Sequence, residues 1–182
     1  MKKGTRSTFT ILLLPLFFIC CSSESTPTQP QEESRGGSAN LVINEFMADN
    51  DNINSDPDFE EFSDWIEIYN HCNETVDMGG MYLTDDLGEP TKWQVPAPTP
   101  IEAGAFLIFW ADNEDMTENA LHTNFKLGAS GEEIGLYASD GTTPIDTLSF
   151  GEQQTDVCYG RFPDGSNTWK FLDTATPGAS NN

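Results

Sequence analysis

Seven carboxylates crowd residues 49–64, and this acidic loop has the clearest potential for metal chemistry in the sequence. They are Asp49, Asp51, Asp56, Asp58, Glu60, Glu61 and Asp64. Carboxylates at this density repel one another unless water or a cation neutralises them, and Ca²⁺ takes roughly six to eight oxygen ligands. The spacing does not match an EF-hand loop, because Asp56-Pro57-Asp58 lacks the glycine and the distal glutamate of that motif. Two interpretations stay open: a weak Ca²⁺ site formed by Asp56, Asp58 and Asp64, or a solvated acidic loop.

The other residues with chemical potential follow no catalytic pattern. Neither His71 nor His122 has a second histidine or a cysteine at zinc-ligand spacing. Neighbouring side chains on a strand point to opposite faces, so neither Asp85–Asp86 nor Glu132–Glu133 can act as an acid and base pair on one substrate. The sequence contains no nucleophile elbow, phosphate loop or dinucleotide fingerprint. We therefore expect a protein without catalytic residues, with calcium as the one cofactor to consider.

The net charge excludes one class of partner. The chain has 8 Lys and Arg against 30 Asp and Glu, a formal net charge of −22. The field of such a chain repels phosphate, so we expect no binding to nucleic acid and no basic face for anionic lipid. Its 12 Phe, 4 Trp and 4 Tyr are sufficient for a packed core. This aromatic content argues against a wholly disordered acidic chain.

The N-terminus has the layout of an export signal. A basic start containing Lys2, Lys3 and Arg6 precedes an uncharged run of 11 residues from Phe9 to Ile19. A helix that crosses a bilayer needs about 20 apolar residues, so this run is too short to span. It is typical of a secretory signal peptide, which we assign to residues 1–20.

The end of the leader resembles a bacterial lipoprotein signal, in which cleavage leaves an acylated cysteine as the first residue. That signal requires a small residue before the cysteine. Cys21 follows Cys20, which is small, whereas Cys20 follows the bulky Ile19. The resemblance therefore implies that Cys21 carries the lipid, palmitate included, and anchors the chain in a membrane. The alternative is an ordinary secreted protein that is cleaved nearby.

Residues 21–40 are predicted to be the lipidated cysteine followed by a flexible tether. From Ser22 to Asn40 the chain holds Ser, Thr, Pro, Gln, Glu and Gly and no large apolar residue. Such a segment cannot bury enough surface to offset the entropy of ordering. Its opening, Ser22-Ser23-Glu24, resembles the surface-export tag of Bacteroidetes lipoproteins. The resemblance implies an outer-membrane lipoprotein of the cell envelope, with the periplasm and the cell surface both open as its location.

Cys72 and Cys158 follow the leader and are separated by 158 − 72 = 86 positions. Disulfides persist in the oxidising compartments that exported proteins reach. A bridge between these residues would contribute about 4 kcal/mol in the chain-entropy model, provided that their Cα atoms lie within roughly 7 Å. Two interpretations stay open: a disulfide, or two inert buried thiols.

From Leu41 onward, short apolar runs recur between clusters of Gly, Asp, Asn and Pro, a pattern typical of strands and turns. The run from Phe106 to Trp110 is unbroken, as expected for a strand that is covered on both faces. No segment shows a sustained helical period. The pattern predicts an all-β sandwich or small barrel. We predict strands at 41–48, 64–70, 81–84, 91–95, 105–111, 132–138, 145–150, 157–161 and 168–172.

Six segments in order resemble a known family. They are 42–48 (VINEFMA), 64–70 (DWIEIYN), 81–86 (MYLTDD), 121–127 (LHTNFKL), 159–165 (YGRFPDG) and 176–181 (TPGASN). Together they resemble a bacterial lamin tail domain over residues 41–181. The resemblance implies an immunoglobulin-like β-sandwich that acts as a non-enzymatic interaction or attachment module.

Three residues in these segments have expected structural roles. His122 lies in the fourth segment, so we expect it to make a structural hydrogen bond. Gly160 is expected where another chain segment approaches closely. Arg161 is expected to pair with an acid of the sandwich, Glu45 or Glu67.

Smaller features suggest surface modification or sugar binding. Asp146-Thr147-Leu148 and Asp173-Thr174-Ala175 resemble the O-glycosylation motif of Bacteroides, which makes Thr147 and Thr174 candidate glycosylation sites. Tryptophans at 93, 110 and 169 are expected in the core, with a sugar-binding face as the alternative.

These observations predict a lipid-anchored, acidic interaction or scaffolding module of the envelope. Its partners would be the membrane, through the lipid, and an unidentified surface protein or glycan. The alternative is a Ca²⁺-dependent glycan-binding accessory protein at the cell surface.

Overall fold

The computed structural model describes Met1 and residues 41–182. The predicted signal peptide beyond Met1, the lipidation site Cys21 and the tether lie outside the described residues. Residues 41–182 contain no helix with the length and apolar character needed to cross a membrane. They form eleven strands: β1 (Leu41–Met47), β2 (Asp64–Asn70), β3 (Val76–Asp77), β4 (Tyr82–Thr84), β5 (Trp93–Gln94), β6 (Pro100–Ile101), β7 (Phe106–Ala111), β8 (Glu132–Tyr137), β9 (Pro144–Phe150), β10 (Tyr159–Arg161) and β11 (Trp169–Phe171).

The strands form two main antiparallel sheets that pack as a sandwich, which confirms the predicted fold class. One sheet has the order β11-β10-β1-β2-β7 and the other the order β5-β4-β8-β9, while β3 and β6 form a short separate pair. Ile43, Ile66 and Phe109 of the first sheet and Leu83 and Ile134 of the second are fully buried in one core cluster. All nine predicted strands are present. The short pair β3–β6 was not predicted, because each of its strands has one buried apolar residue, Val76 or Ile101, and a single residue shows neither a run nor an alternation.

The first sheet is buried on both faces. In β2, four consecutive residues from Trp65 to Ile68 are fully buried, so the usual alternation of inward apolar and outward polar residues is lost. The outer face carries a second apolar cluster, which comprises Met47, Trp65, Trp110, Cys158 and Leu172. Trp110 is 4% exposed and Trp93 is 3% exposed, so both are core residues as expected and neither offers a sugar-binding face. Trp169 is half-buried.

The predicted disulfide between Cys72 and Cys158 is not formed. Cys158 is a buried free thiol that packs in the second cluster, whereas Cys72 packs against the main core. The strand register explains the separation: Leu41 pairs with Asn70 at one end of β1, and Phe46 pairs with Tyr159 near the other end. At about 3.3 Å per residue, the two cysteines are roughly 20 Å apart along the strand, well beyond the reach of a disulfide.

Gly160 lies at a close approach, as predicted. A Cβ atom at this position would be 2.8 Å from Leu172 Cδ1 and 3.0 Å from Asn181 Nδ2. The Asn181 amide donates a hydrogen bond to the carbonyl of Arg161, so the C-terminal segment packs directly on β10. Only a residue without a side chain leaves room for this contact.

Arg161 does not pair with either glutamate. Its Nη2 lies 2.8 Å from Asp146 Oδ2 on the opposite sheet, and its Nε donates to the Ile43 carbonyl. Glu45 accepts hydrogen bonds from the backbone N–H and the hydroxyl of Thr176. Glu67 accepts one from the backbone N–H of Gly178. The C-terminal segment therefore occupies both glutamates, and the arginine links the two sheets instead.

Candidate functional site

The acidic loop connects β1 to β2 and is held by short polar contacts. The side chain of Asn50 donates from Nδ2 to the carbonyls of Ile53 and Ser63, at 2.7 Å each, and closes the loop across its base. Asp156, from the segment before β10, accepts the backbone N–H groups of Asp51 and Asn52. These contacts fix the backbone of the loop without using the side chains of Asp56 and Asp58, which point to the end of β7.

The imidazole of His122 lies among three carboxylates at this end of the sandwich. Its Nδ1 is 2.6 Å from Asp112 Oδ2 and 3.7 Å from Asp56 Oδ2, and its Nε2 is 3.0 Å from Asp58 Oδ2. Asp112 directly follows β7, and two hydrogen bonds join residues 121–123 to Trp110 of the same strand. Three separate chain segments therefore meet at one imidazole. The predicted structural hydrogen bond of His122 is confirmed.

Electrostatics favour the protonated imidazole in this arrangement. Burial by itself lowers the pKa of His122, but the hydrogen bonds to Asp112 and Asp58 outweigh it and leave the pKa above its ordinary value. The hydrogen bond from His122 likewise lowers the pKa of Asp58. The ring of Phe59 packs edge-on at 5.4 Å from the imidazole centre. The carboxylates around the buried ring are therefore the cause of its raised pKa.

Asp56 is the unusual member of the group. It is fully buried, and its Oδ1 accepts the backbone N–H of Asp58 at 2.7 Å. Its Oδ2 has no hydrogen-bond partner among the described residues. Asp56, Asp112 and His122 each offer one ligand atom, all within 4.8 Å of one another, so this buried group could hold a metal ion.

The structure brings together two of the three acids that the sequence suggested for calcium. Asp56 and Asp58 both face His122, whereas Asp64 accepts the backbone N–H of Asn50 at 3.2 Å and burial raises its pKa to about 7. Sequence reasoning missed Asp112, which lies 112 − 56 = 56 positions beyond Asp56. In the pairing of β2 with β7, Ala111 lies opposite Asp64, where the acidic loop ends. A correct register for these two strands would therefore have placed Asp112 beside that loop.

An open groove of about 480 Å³ runs beside this cluster. Its floor includes Leu107, Ile108 and Trp110 of β7, and its walls come from the acidic loop, residues 119–121 and Pro177. The backbone N–H of Trp110 donates to the carbonyl of Leu121, and the Trp110 carbonyl accepts the N–H of Thr123. Both groups of Trp110 point away from β2. Because backbone groups alternate along a strand, the N–H and carbonyl of Ile108 point to the same outer side. Among the described residues, no strand pairs with that part of β7.

The two candidate glycosylation sites are on the surface. Thr147 is exposed on β9, an edge strand of the four-stranded sheet, and Thr174 is exposed in the segment after β11. Both side chains are accessible to a modifying enzyme, so the two sites stay predictions.

Comparison with known families shows which family the fold belongs to. The family model described as Lamin Tail Domain matches residues 34–152, which is 152 − 34 + 1 = 119 of the 182 residues and more than half of the chain. The match ends before β10, although β10 pairs with β1 inside the first sheet, so the sandwich extends beyond the matched range. No curated protein matches the chain.

Proposed function

The chain belongs to the lamin tail domain family, and from this premise we propose that it is a non-enzymatic interaction module, anchored by lipid at the cell envelope, that binds a surface partner. The leader and the Cys20-Cys21 pair support the lipid anchor, and the polar composition of residues 22–40 supports a tether. The resemblance of the leader and tether to Bacteroidetes lipoproteins supports the outer membrane as the location.

The observation that carries the binding role is the groove beside the outer edge of β7. An extended peptide can add to such an edge, with backbone hydrogen bonds providing affinity and side-chain pockets providing specificity. Leu107, Ile108 and Leu121 line the groove with apolar surface, which suits alternate apolar side chains of a bound strand. The net charge of −22 favours a partner segment with basic residues.

Two substitutions of Ile108 distinguish the backbone contribution to partner binding from the side-chain contribution. Ile108→Pro removes an N–H that points outward, which an edge strand tolerates, and is expected to abolish partner binding. Ile108→Ala keeps that N–H and is expected to weaken binding by less than about tenfold. The measurement is photo-cross-linking in intact envelopes, with a photo-reactive residue in place of the exposed groove residue Ser55.

The same photo-reactive residue in place of Phe171 gives the control, since Phe171 is exposed on β11 at the opposite edge of the sheet. A defined adduct is expected from position 55 and not from position 171. An equal adduct yield from Ile108→Pro and Ile108→Ala would contradict binding at the strand edge.

The lipid anchor has its own test. Metabolic labelling with an alkyne analogue of palmitate is expected to label the chain and its Cys20→Ser variant, and to leave Cys21→Ser unlabelled, because an acylated cysteine must be the first mature residue. Labelling of Cys21→Ser with loss of label in Cys20→Ser would move the site to Cys20. An unlabelled wild-type chain would indicate a secreted protein without an anchor.

The alternative of Ca²⁺-dependent glycan binding has less support. Trp93 and Trp110 are buried and offer no stacking platform for a sugar. Asp64 does not join Asp56 and Asp58, and the nitrogen of His122 takes the place of the third oxygen ligand. Ca²⁺ prefers oxygen ligands throughout.

A further inference from the structure

We propose that Asp56, Asp112 and His122 bind a divalent transition-metal ion, with Zn²⁺ as the best fit, and that Asp58 positions the imidazole. This site adjoins the proposed partner groove, but metal binding by these side chains does not require the groove to be occupied. The starting point is Asp56 Oδ2, which is fully buried and lacks a hydrogen-bond partner among the described residues. A buried carboxylate oxygen is costly to leave without a donor or a cation, and this one faces His122 Nδ1 at 3.7 Å.

One separation in the group is near that of a zinc site, and a second has to lengthen when the metal binds. Zinc lies about 2.0–2.2 Å from its nitrogen and oxygen ligands, so ligand atoms in a tetrahedral site are about 3.3 Å apart. The separation of 3.7 Å between Asp56 Oδ2 and His122 Nδ1 is near this value. The separation of 2.6 Å between Asp112 Oδ2 and Nδ1 is a hydrogen bond. That contact opens when the metal takes the place of the shared proton, which is released to solvent.

Asp58 has the position of a supporting carboxylate. A metal-bound histidine commonly donates its other ring N–H to a carboxylate, which fixes the tautomer and the ring orientation. Asp58 Oδ2 accepts from His122 Nε2 at 3.0 Å, and it also accepts the backbone N–H of Ala120 at 3.1 Å. Nε2 is therefore engaged, and Nδ1 is the nitrogen that faces both proposed acidic ligands.

The donor types favour a transition metal over calcium. Imidazole nitrogen suits Zn²⁺ and its first-row neighbours, whereas Ca²⁺ and Mg²⁺ prefer oxygen ligands alone. Charge leads to the same choice: a neutral imidazole with a divalent cation offsets the three surrounding carboxylates better than an imidazolium does. The imidazole itself is fully buried.

Calorimetric titration of the EDTA-treated full chain tests the proposal with ZnCl₂, CoCl₂ and CaCl₂ as separate probes. We expect one equivalent of Zn²⁺ to bind, a visible absorption band with Co²⁺, and a melting temperature that rises by several degrees at saturating Zn²⁺. CaCl₂ is expected to give a much smaller response. Asp56→Asn keeps the Oδ1 acceptor for the Asp58 N–H, so it is expected to fold and to bind Zn²⁺ at least tenfold more weakly.

Two control variants exclude other sites. Asp51→Asn removes an exposed charge from the same loop, and His71→Ala removes the exposed second histidine; both are expected to bind Zn²⁺ as the wild type does. The proposal is overturned if neither Zn²⁺ nor Co²⁺ binds, if Asp56→Asn binds as tightly as wild type, or if His71→Ala removes the binding. In those cases the three residues form only a hydrogen-bonded ion network.

Discussion

Replacing Arg161 with methionine is expected to lower the free energy of unfolding by about 3–5 kcal/mol, because it removes one partner of a buried charge pair and leaves the other uncompensated. Arg161 is 6% exposed. It donates to Asp146 across the sandwich, to the carbonyl of Ile43 on β1, and to the carbonyl of Ser166. Its guanidinium also lies 4.8 Å from the centre of the Trp169 ring. Methionine has similar length but can replace none of the hydrogen bonds.

A double variant separates the charge from the packing. Asp146 Oδ2 also accepts the backbone N–H of Ile43 at 2.9 Å, and an asparagine can keep that contact without a charge. Arg161→Met with Asp146→Asn is therefore expected to recover part of the lost stability, as measured by urea unfolding. Lys170→Met is the matched control, since Lys170 is an exposed cation nearby on β11 whose ammonium lies over the Phe162 ring, and we expect it to change stability by less than about 1 kcal/mol. A loss below about 1 kcal/mol in Arg161→Met would contradict the prediction.

The free energy of unfolding is expected to fall as the pH rises from 5 to 8.5, with Glu67 as a main cause. Burial raises the pKa of Glu67 from its ordinary 4.5 to about 8, against the opposing hydrogen bonds from Gly178 and Asn44. The folded protein therefore holds a proton that the unfolded chain releases. Stability contributed in this way is complete below about pH 4.5 and is lost as the pH rises through 8. Each such proton changes the unfolding free energy by about 1.4 kcal/mol per pH unit.

Urea unfolding of Glu67→Gln across this pH range tests the assignment. The variant cannot ionise at position 67, so its stability is expected to fall less steeply with pH than that of the wild type. Asp64, with a pKa raised to about 7 by burial, supplies part of the remaining slope. Glu74→Gln removes an exposed glutamate and should leave the slope unchanged. Equal slopes in Glu67→Gln and wild type would show that Glu67 is ionised in the folded state throughout the range.

The sequence allowed the strands to be predicted because each main strand is a compact run of apolar residues between turn residues. The run from Phe106 to Trp110 was expected to be covered on both faces, and the second apolar cluster accounts for the outer cover. The pair β3–β6 was missed because each of its strands has one buried apolar residue, Val76 or Ile101. Local sequence patterns thus identify the strands. Which residues cover the outer face of a sheet depends on segments that are distant in the chain.

The candidate site was predictable only in part, for the same physical reason. Asp56 and Asp58 are conspicuous in an acidic stretch, but their partners Asp112 and His122 come from the far end of β7 and the segment beyond it. The register of β2 with β7 brings these residues together. No motif of closely spaced residues in the sequence predicts that contact. The predicted disulfide failed because the two cysteines flank opposite ends of β1, which only the pairing of three strands determines.

The buried thiol of Cys158 makes the opening of this domain measurable by chemical labelling. The side chain is fully enclosed, and burial keeps its pKa far above the ordinary range, so the reactive thiolate is suppressed while the sandwich is closed. In a Cys72→Ser chain whose Cys21 is acylated, a maleimide could react at position 158 only in molecules that have opened. The alkylation rate of that chain would then report local opening of the sandwich.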